Sequence, residues 1–114
     1  MHIGIDAREL LGYTTGIGRY LANLCQKWAD STRGKTHRFT LYFPRKPEAG
    51  DQLLPLLSAN SGQFRTKVVP GSTGSWWEQV TLPPAVNSAK PDVFFSPAYS
   101  APLRVKCPIV VTIP

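Results

Sequence analysis

Apolar residues recur along the chain at two spacings, and the spacings divide it into elements. His2-Ile3-Gly4-Ile5-Asp6-Ala7 is a short apolar run with β-branched residues and an acid near its end, the pattern of a central strand. After a loop holding Gly12, Thr14, Thr15, Gly16 and Gly18, Ile17, Tyr20, Leu21, Leu24, Cys25 and Trp28 fall at i, i+3, i+4, i+7, i+8 and i+11. That spacing predicts one continuous apolar stripe on a helix. Arg19, Asn23, Gln26, Lys27 and Asp30 take its opposite face, and Thr14 or Thr15 is placed to cap it.

Phe39-Thr40-Leu41-Tyr42-Phe43 predicts a second strand, closed by Pro44. Asp51 to Ser58, with Leu53, Leu54, Leu56 and Leu57, predicts a short helix carrying Pro55 in its first turn. Phe64 to Val69 alternates and stops at Pro70-Gly71, a third strand. From Ser75 to Lys90, Trp76, Trp77, Val80, Leu82, Ala85, Val86 and Ala89 keep near-helical spacing, and Pro83-Pro84 predict a break between two helical pieces. Pro91 to Ser96 and Ile109 to Ile113 are continuous apolar runs, which predict strands covered on both faces. The order predicts an α/β fold, a Rossmann-like open and mostly parallel sheet with helices on both faces.

Composition narrows the class. The 114 residues hold 13 Lys+Arg against 7 Asp+Glu, a net charge of +6, and are 42% hydrophobic. A single basic globular domain with a real core is expected. Its 9 Gly and 11 Pro stay below the roughly 25–30% share of low-complexity chains. No apolar run approaches the ~20 residues of a membrane-spanning helix. Asp6, Arg8 and Glu9 interrupt any signal-peptide core, so the cytoplasm is the expected compartment. Cys25 and Cys107 lie outside any CxxC pair and away from histidine, which predicts reduced core thiols rather than a zinc or redox site.

Open parallel sheets bind ligands outside the carboxyl ends of their strands, which selects the loops after the first, fourth and fifth strands. Gly16 and Gly18 open the first helix, where free backbone N–H groups can meet a phosphate and Arg19 can add charge. Equally, the glycines can serve a tight turn with Arg19 solvated. The Ser96-Pro97-Ala98-Tyr99-Ser100 loop offers hydroxyls and the Tyr99 ring to sugar-like hydroxyls, or is an ordinary turn. Asp6 and Arg8 can pair with each other or face the cleft. His2 and His37 do not suggest catalysis. Trp76 and Trp77 beside Glu78 can form a recognition patch, although tryptophans at helical spacing favour packing. Between Asp30 and Glu48 there is no acid, while Arg33, Lys35, Arg38, Arg45 and Lys46 supply positive charge. That predicts a basic face, either for anionic lipid headgroups at about 1 kcal/mol per cation or for solubility. Nucleic acid is not an expected partner, because no matching motif accompanies the charge.

Met1-His2-Ile3-Gly4-Ile5-Asp6-Ala7-Arg8-Glu9-Leu10, followed by Thr15-Gly16-Ile17-Gly18-Arg19-Tyr20-Leu21-Ala22-Asn23-Leu24, resembles the opening of the group 1 (family 4) glycosyltransferases. Trp77-Glu78-Gln79 with Leu82-Pro83, Pro91-Asp92-Val93-Phe94-Phe95-Ser96-Pro97, and Val110-Val111-Thr112-Ile113 also look like that family, in the same order. The resemblance spans essentially the whole chain. It implies the N-terminal half of a GT-B fold, in which two Rossmann-like domains face a cleft. The first mostly holds the acceptor and the second the nucleotide sugar. It also implies retaining sugar transfer from a nucleotide-sugar donor to an acceptor hydroxyl, with no required metal or cofactor. Gly16, Ile17 and Gly18 match the family's glycine-rich loop, which approaches donor phosphates and acceptor. Arg19 and Tyr99 complete the expected substrate-binding set, and no catalytic residue is assigned.

Two departures shape the expectation. Family members commonly follow the Thr-Ile of the fifth strand with His-Asp, whereas here Pro114 follows Ile113. The family's Glu-x7-Glu element and donor-phosphate basic residues are also missing. Residues 1–114 are therefore expected to be a truncated N-terminal domain, inactive alone, lacking the nucleotide-sugar domain and exposing apolar surface prone to self-association. A nicotinamide-dependent reductase is the rival enzyme. Residues Arg8 to Thr14 separate the first strand from the glycines, and the sole Tyr-x-x-x-Lys match, Tyr42 with Lys46, lies on a predicted strand and its turn. A stand-alone interaction module recruiting a partner at an exposed sheet edge is the non-enzymatic alternative.

Overall fold

The computed structural model describes residues 1–11, 16–30, 37–45, 64–71, 76–97 and 100–112. Strands β1 (His2–Asp6), β2 (Arg38–Phe43), β3 (Phe64–Val68), β4 (Val93–Ser96) and β5 (Ile109–Val111) form one sheet in the order β3-β2-β1-β4-β5. Every neighbouring pair is parallel. A Rossmann-like α/β fold is thus present, all-parallel where the sequence predicts mostly parallel.

Side chains alternate along each strand and so divide the core into two layers. Ile5, Phe39, Leu41, Phe43, Phe64 and Phe95 face helix α1 (Gly16–Asp30), meeting its Leu21 and Cys25. Trp28 stacks on Phe39 with ring centroids 5.2 Å apart, Phe39 stacks on Phe64 at 4.7 Å, and Phe95 meets Trp28 edge-on at 5.9 Å. On the other face Tyr42 and Phe94 pack with Trp77, Leu82, Val86 and Val105. Gly4 sits between these two rings. A Cβ there would meet Phe94 Cδ1 at 3.0 Å and Tyr42 Cε2 at 3.3 Å. A side chain at that position would require the rings to give by a few tenths of an ångström.

Trp77–Thr81 is a π-helical turn that runs without a break into α2 (Leu82–Ala89), which corrects the expected interruption at Pro83-Pro84. Neither proline has an N–H to give to the carbonyl four residues back, and in the wider turn the Leu82 N–H reaches Trp77 O instead. Both prolines then lie in the first turn of α2, where a missing donor costs little. Lys90 closes α2 in the left-handed conformation, φ 49°, donating its N–H to Val86 O at 3.1 Å.

Other expectations shift in detail. Tyr20 is 43% exposed because it lies on the flank of the α1 stripe rather than at its centre. β5 is an edge strand with one neighbour, so Val110 and Val111 are exposed instead of covered on both faces. Trp77 is fully buried while Trp76 is 63% exposed, so the two tryptophans divide the core and surface readings between them. The predicted Asp51–Ser58 helix and the capping threonines lie outside the described residues. Cys25 and Cys107 are free thiols. No helix among the described residues is long and apolar enough to cross a membrane.

Candidate functional site at the strand-order reversal

Strand order reverses at β1: β2 and β3 continue to one side, β4 and β5 to the other. The carboxyl ends of β1 and β4 therefore flank the crevice where such sheets take ligands. Asp6 ends β1 and Ser96 ends β4. Asp6 falls on the face that Gly4 occupies and Ser96 on that of Phe94, so both turn toward the α2 layer. They are 5% and 1% exposed.

Arg8 follows in a 3₁₀ turn (Arg8–Leu10) and folds back on Asp6. Its Nε donates to Asp6 Oδ1 at 3.0 Å and Oδ2 at 3.2 Å, its Nη2 to Oδ2 at 2.7 Å, and its backbone N–H to Oδ1 at 3.2 Å. The same Nη2 lies 3.4 Å from Glu78 Oε1, from the π turn. Ser100 Oγ donates to both Glu78 oxygens, at 2.9 and 3.0 Å. The guanidinium carbon sits 5.0 Å from the centroid of the Trp77 ring, a cation–π contact. Burial alone would lower the Arg8 pKa, but the hydrogen bond and charge of Asp6, then the charges of Glu78 and Glu9, hold it above its ordinary value. Asp6 and Arg8 thus do both things the sequence left open, pairing with each other at the crevice.

The walls are tied down by polar side chains. Gln79 donates from Nε2 to Ala101 O at 2.7 Å and accepts the Leu103 N–H at Oε1, 3.0 Å. Asn87 Nδ2 donates to Arg104 O at 3.1 Å, and the Lys106 N–H donates to Asn87 Oδ1 at 2.9 Å. These bonds dock the β4–β5 connection on the π turn and α2. Trp77 Nε1 donates to Val69 O at 2.7 Å, anchoring the exit of β3. A cavity of about 370 Å3 opens at the same edge, lined by Arg8, Leu11, Pro44, Arg45 and Gly71.

Chemically this is a closed, largely buried hydrogen-bonded network. Glu78 is engaged by Arg8 and Ser100, and Asp6 by Arg8. Ser96 Oγ is buried without a hydrogen-bond partner, so a donor and acceptor remain unused at the reversal point. Among the described residues no group of three His, Cys, Asp or Glu side chains suits a metal ion.

Of the expected site residues, Gly16, Ile17 and Gly18 form the first turn of α1. That helix leaves the carboxyl edge after β1 and returns the chain to the amino edge before β2, so its N-terminus opens at the crevice edge. Gly18 is buried and Arg19 exposed. Tyr99 lies outside the described residues. Of the predicted basic face, Arg38 begins β2 and Arg45 follows its carboxyl end, so those two lie at opposite edges of the sheet. Arg33, Lys35 and Lys46 lie outside the described residues. Glu78, which the sequence offered only beside Trp76 and Trp77 as part of a recognition patch, is buried and partnered by Arg8 and Ser100.

The fold and this crevice define a Rossmann-like α/β domain with a polar, hydrogen-bonded switch point. No protein-family model, curated protein or solved structure matches the chain.

Proposed function

We propose that the chain is the N-terminal, acceptor-side domain of a retaining glycosyltransferase that moves a sugar from a nucleotide-sugar donor to an acceptor hydroxyl. One observation carries the reading: the paired Asp6-Arg8-Glu78-Ser100 cluster at the strand reversal, beside the unused Ser96 hydroxyl. Ser100 and the outer part of Arg8 are the members of this cluster that reach solvent, and polar groups held there suit hydroxyl groups. The Gly16–Gly18 turn of α1 opens at the same edge, where backbone N–H groups suit donor phosphates. Against a dinucleotide enzyme, the 3₁₀ turn and residues 11–15 stand between β1 and α1, so the tight glycine turn under a pyrophosphate has no place. The reading places the protein in the cytoplasm, with its basic residues available to the inner membrane face.

The test is acceptor-dependent nucleotide release by the product of the complete reading frame, given UDP-, GDP- and ADP-sugars. Release that Ser96→Val and Gly18→Val each weaken is the expected result. A complete product that carries no nucleotide-sugar domain and releases no nucleotide overturns the reading. The interaction-module alternative has one observation of its own, the exposed Val110 and Val111 on edge strand β5. A concentration-dependent dimer in light scattering, abolished by Val110→Lys, supports that alternative.

A further inference from the structure

The outer side of the π turn and α2 carries apolar residues that the core leaves uncovered. Trp76 is 63% exposed and Val80, one turn further on, 38%. Beside them the β4–β5 connection makes a tight turn, closed by the Val105 N–H donating to Pro102 O at 3.3 Å. Pro102 and Val105 are buried, whereas the two residues at the tip, Leu103 and Arg104, are exposed. At 81%, Leu103 is the most exposed large apolar side chain among the described residues.

This turn is rigidly held although its tip covers nothing. Gln79 and Asn87, two turns apart on the flank of the helix, grip its backbone at Ala101, Leu103, Arg104 and Lys106. A partner that buries Leu103 therefore has no loop to order, which lowers the cost of binding. Charge selects the partner. From Trp76 to Thr112 the acids are Glu78 and Asp92. Glu78 is buried against Arg8 and Ser100, and Asp92 accepts the His2 N–H at 2.7 Å at the amino edge of the sheet. Lys90, Arg104 and Lys106 are exposed, and no described acid pairs with them. Apolar tip residues beside uncompensated cations, on a chain of net charge +6, match a surface that is anionic outside and apolar within. An anionic bilayer is such a surface, since tryptophan settles at the headgroup level, apolar side chains enter the acyl boundary and basic ones meet lipid phosphates.

We propose that this face docks on an anionic lipid bilayer. Leu103 and Trp76 enter the headgroup boundary, Val80 extends the apolar strip, and Arg104 and Lys106 meet lipid phosphates. The surface is distinct from the basic face expected between Asp30 and Glu48, whose Arg38 and Arg45 lie at opposite edges of the sheet. Adsorption needs only this face, so the proposal does not depend on the glycosyltransferase reading.

The experiment is co-sedimentation of the full chain with vesicles of phosphatidylcholine alone and of equal parts phosphatidylcholine and phosphatidylglycerol, read beside tryptophan emission. The chain is expected to bind the mixed vesicles about tenfold or more tightly than the neutral ones. Its emission should shift to the blue on the mixed vesicles, a shift lost in Trp76→Phe. Leu103→Asp, and separately Arg104→Gln with Lys106→Gln, should each lower the affinity about tenfold. These side chains are exposed, so the urea midpoint should stay unchanged. No sedimentation with the mixed vesicles overturns the proposal. Binding that Leu103→Asp leaves unchanged overturns it as well, because contact by charge alone is what any polyanion or acidic protein would give. Sedimentation without vesicles that Leu103→Asp abolishes assigns the face to a second copy of the chain, and it too overturns the proposal.

Discussion

Arg8 and Glu78 lie far apart in the chain, yet Arg8 Nη2 reaches Glu78 Oε1 at 3.4 Å while holding Asp6 at 2.7 Å. Through this contact the end of β1 is joined to the π turn. The same residue carries the geometry of the crevice and part of the stability of the fold.

Removing Arg8 leaves Asp6 and Glu78 buried without their cation. Arg8 is 23% exposed at its side chain, so solvent only partly replaces it. Arg8→Met should cost about 3 kcal/mol, read from the shift in urea midpoint. Adding Glu78→Gln should make the double variant less destabilised than the sum of the singles, because the uncompensated charge is relieved. Strict additivity would show that Arg8 and Glu78 are not coupled.

Gly4→Val tests the ring closure over β1. Valine suits a strand, so any loss is steric, and the added methyls must displace Phe94 or Tyr42. About 1–3 kcal/mol of destabilisation is expected in chemical denaturation, with a smaller loss for Gly4→Ala. Unchanged stability in the valine variant would mean that the rings are not closed over β1.

The adjacent tryptophans should respond in opposite ways. Trp77→Phe removes the donor to Val69 O and leaves a gap in the α2-side core, which should cost about 2 kcal/mol. Trp76→Ala, at a 63% exposed position, should stay within about 0.5 kcal/mol of the parent. Melting curves of the two variants decide it. An equal loss at both positions contradicts the burial described for them.

Alkaline pH should weaken the fold through Cys25, whose thiol burial pushes up from 9.0 to about 12. The folded chain binds this proton more tightly than the unfolded one, so the stabilisation is complete below the ordinary thiol value and is lost as pH rises toward the folded value. Stability should decline between these limits by up to about 1.4 kcal/mol per pH unit. Burial raises Cys107 and Tyr42 as well, so they act in the same direction. Cys25→Ala should make the decline shallower. A parent profile flat through this range would contradict the burial of the thiol.

Much of the architecture was legible in local patterns. The run ending at Asp6, the Leu21–Cys25–Trp28 stripe and the aromatic alternation of Phe39 to Phe43 each identify an element within a few residues, because helical and strand periods are properties of neighbouring positions. The glycines at the start of α1 were legible for the same reason. Pro83-Pro84 misled at this range. Proline rules describe an α-helix, and the preceding turn takes the wider π geometry, in which Leu82 bonds five residues back.

What lies at the crevice was decided elsewhere. Asp6 and Arg8 were visible as neighbours in the chain, but Glu78 and Ser100 reach them only because β4 pairs with β1 while α2 covers that side of the sheet. The exposed Leu103 turn has the same origin, since Gln79 and Asn87 hold it from the π turn and α2. Among the described residues, the sequence by itself determined where the strands and the α1 stripe run to within a few residues, because those depend on spacing along the chain. Only the tertiary structure decided the strand order, the Asp6-Arg8-Glu78-Ser100 cluster and the unpaired Ser96 and Tyr42 hydroxyls, because contacts between distant residues depend on register and packing.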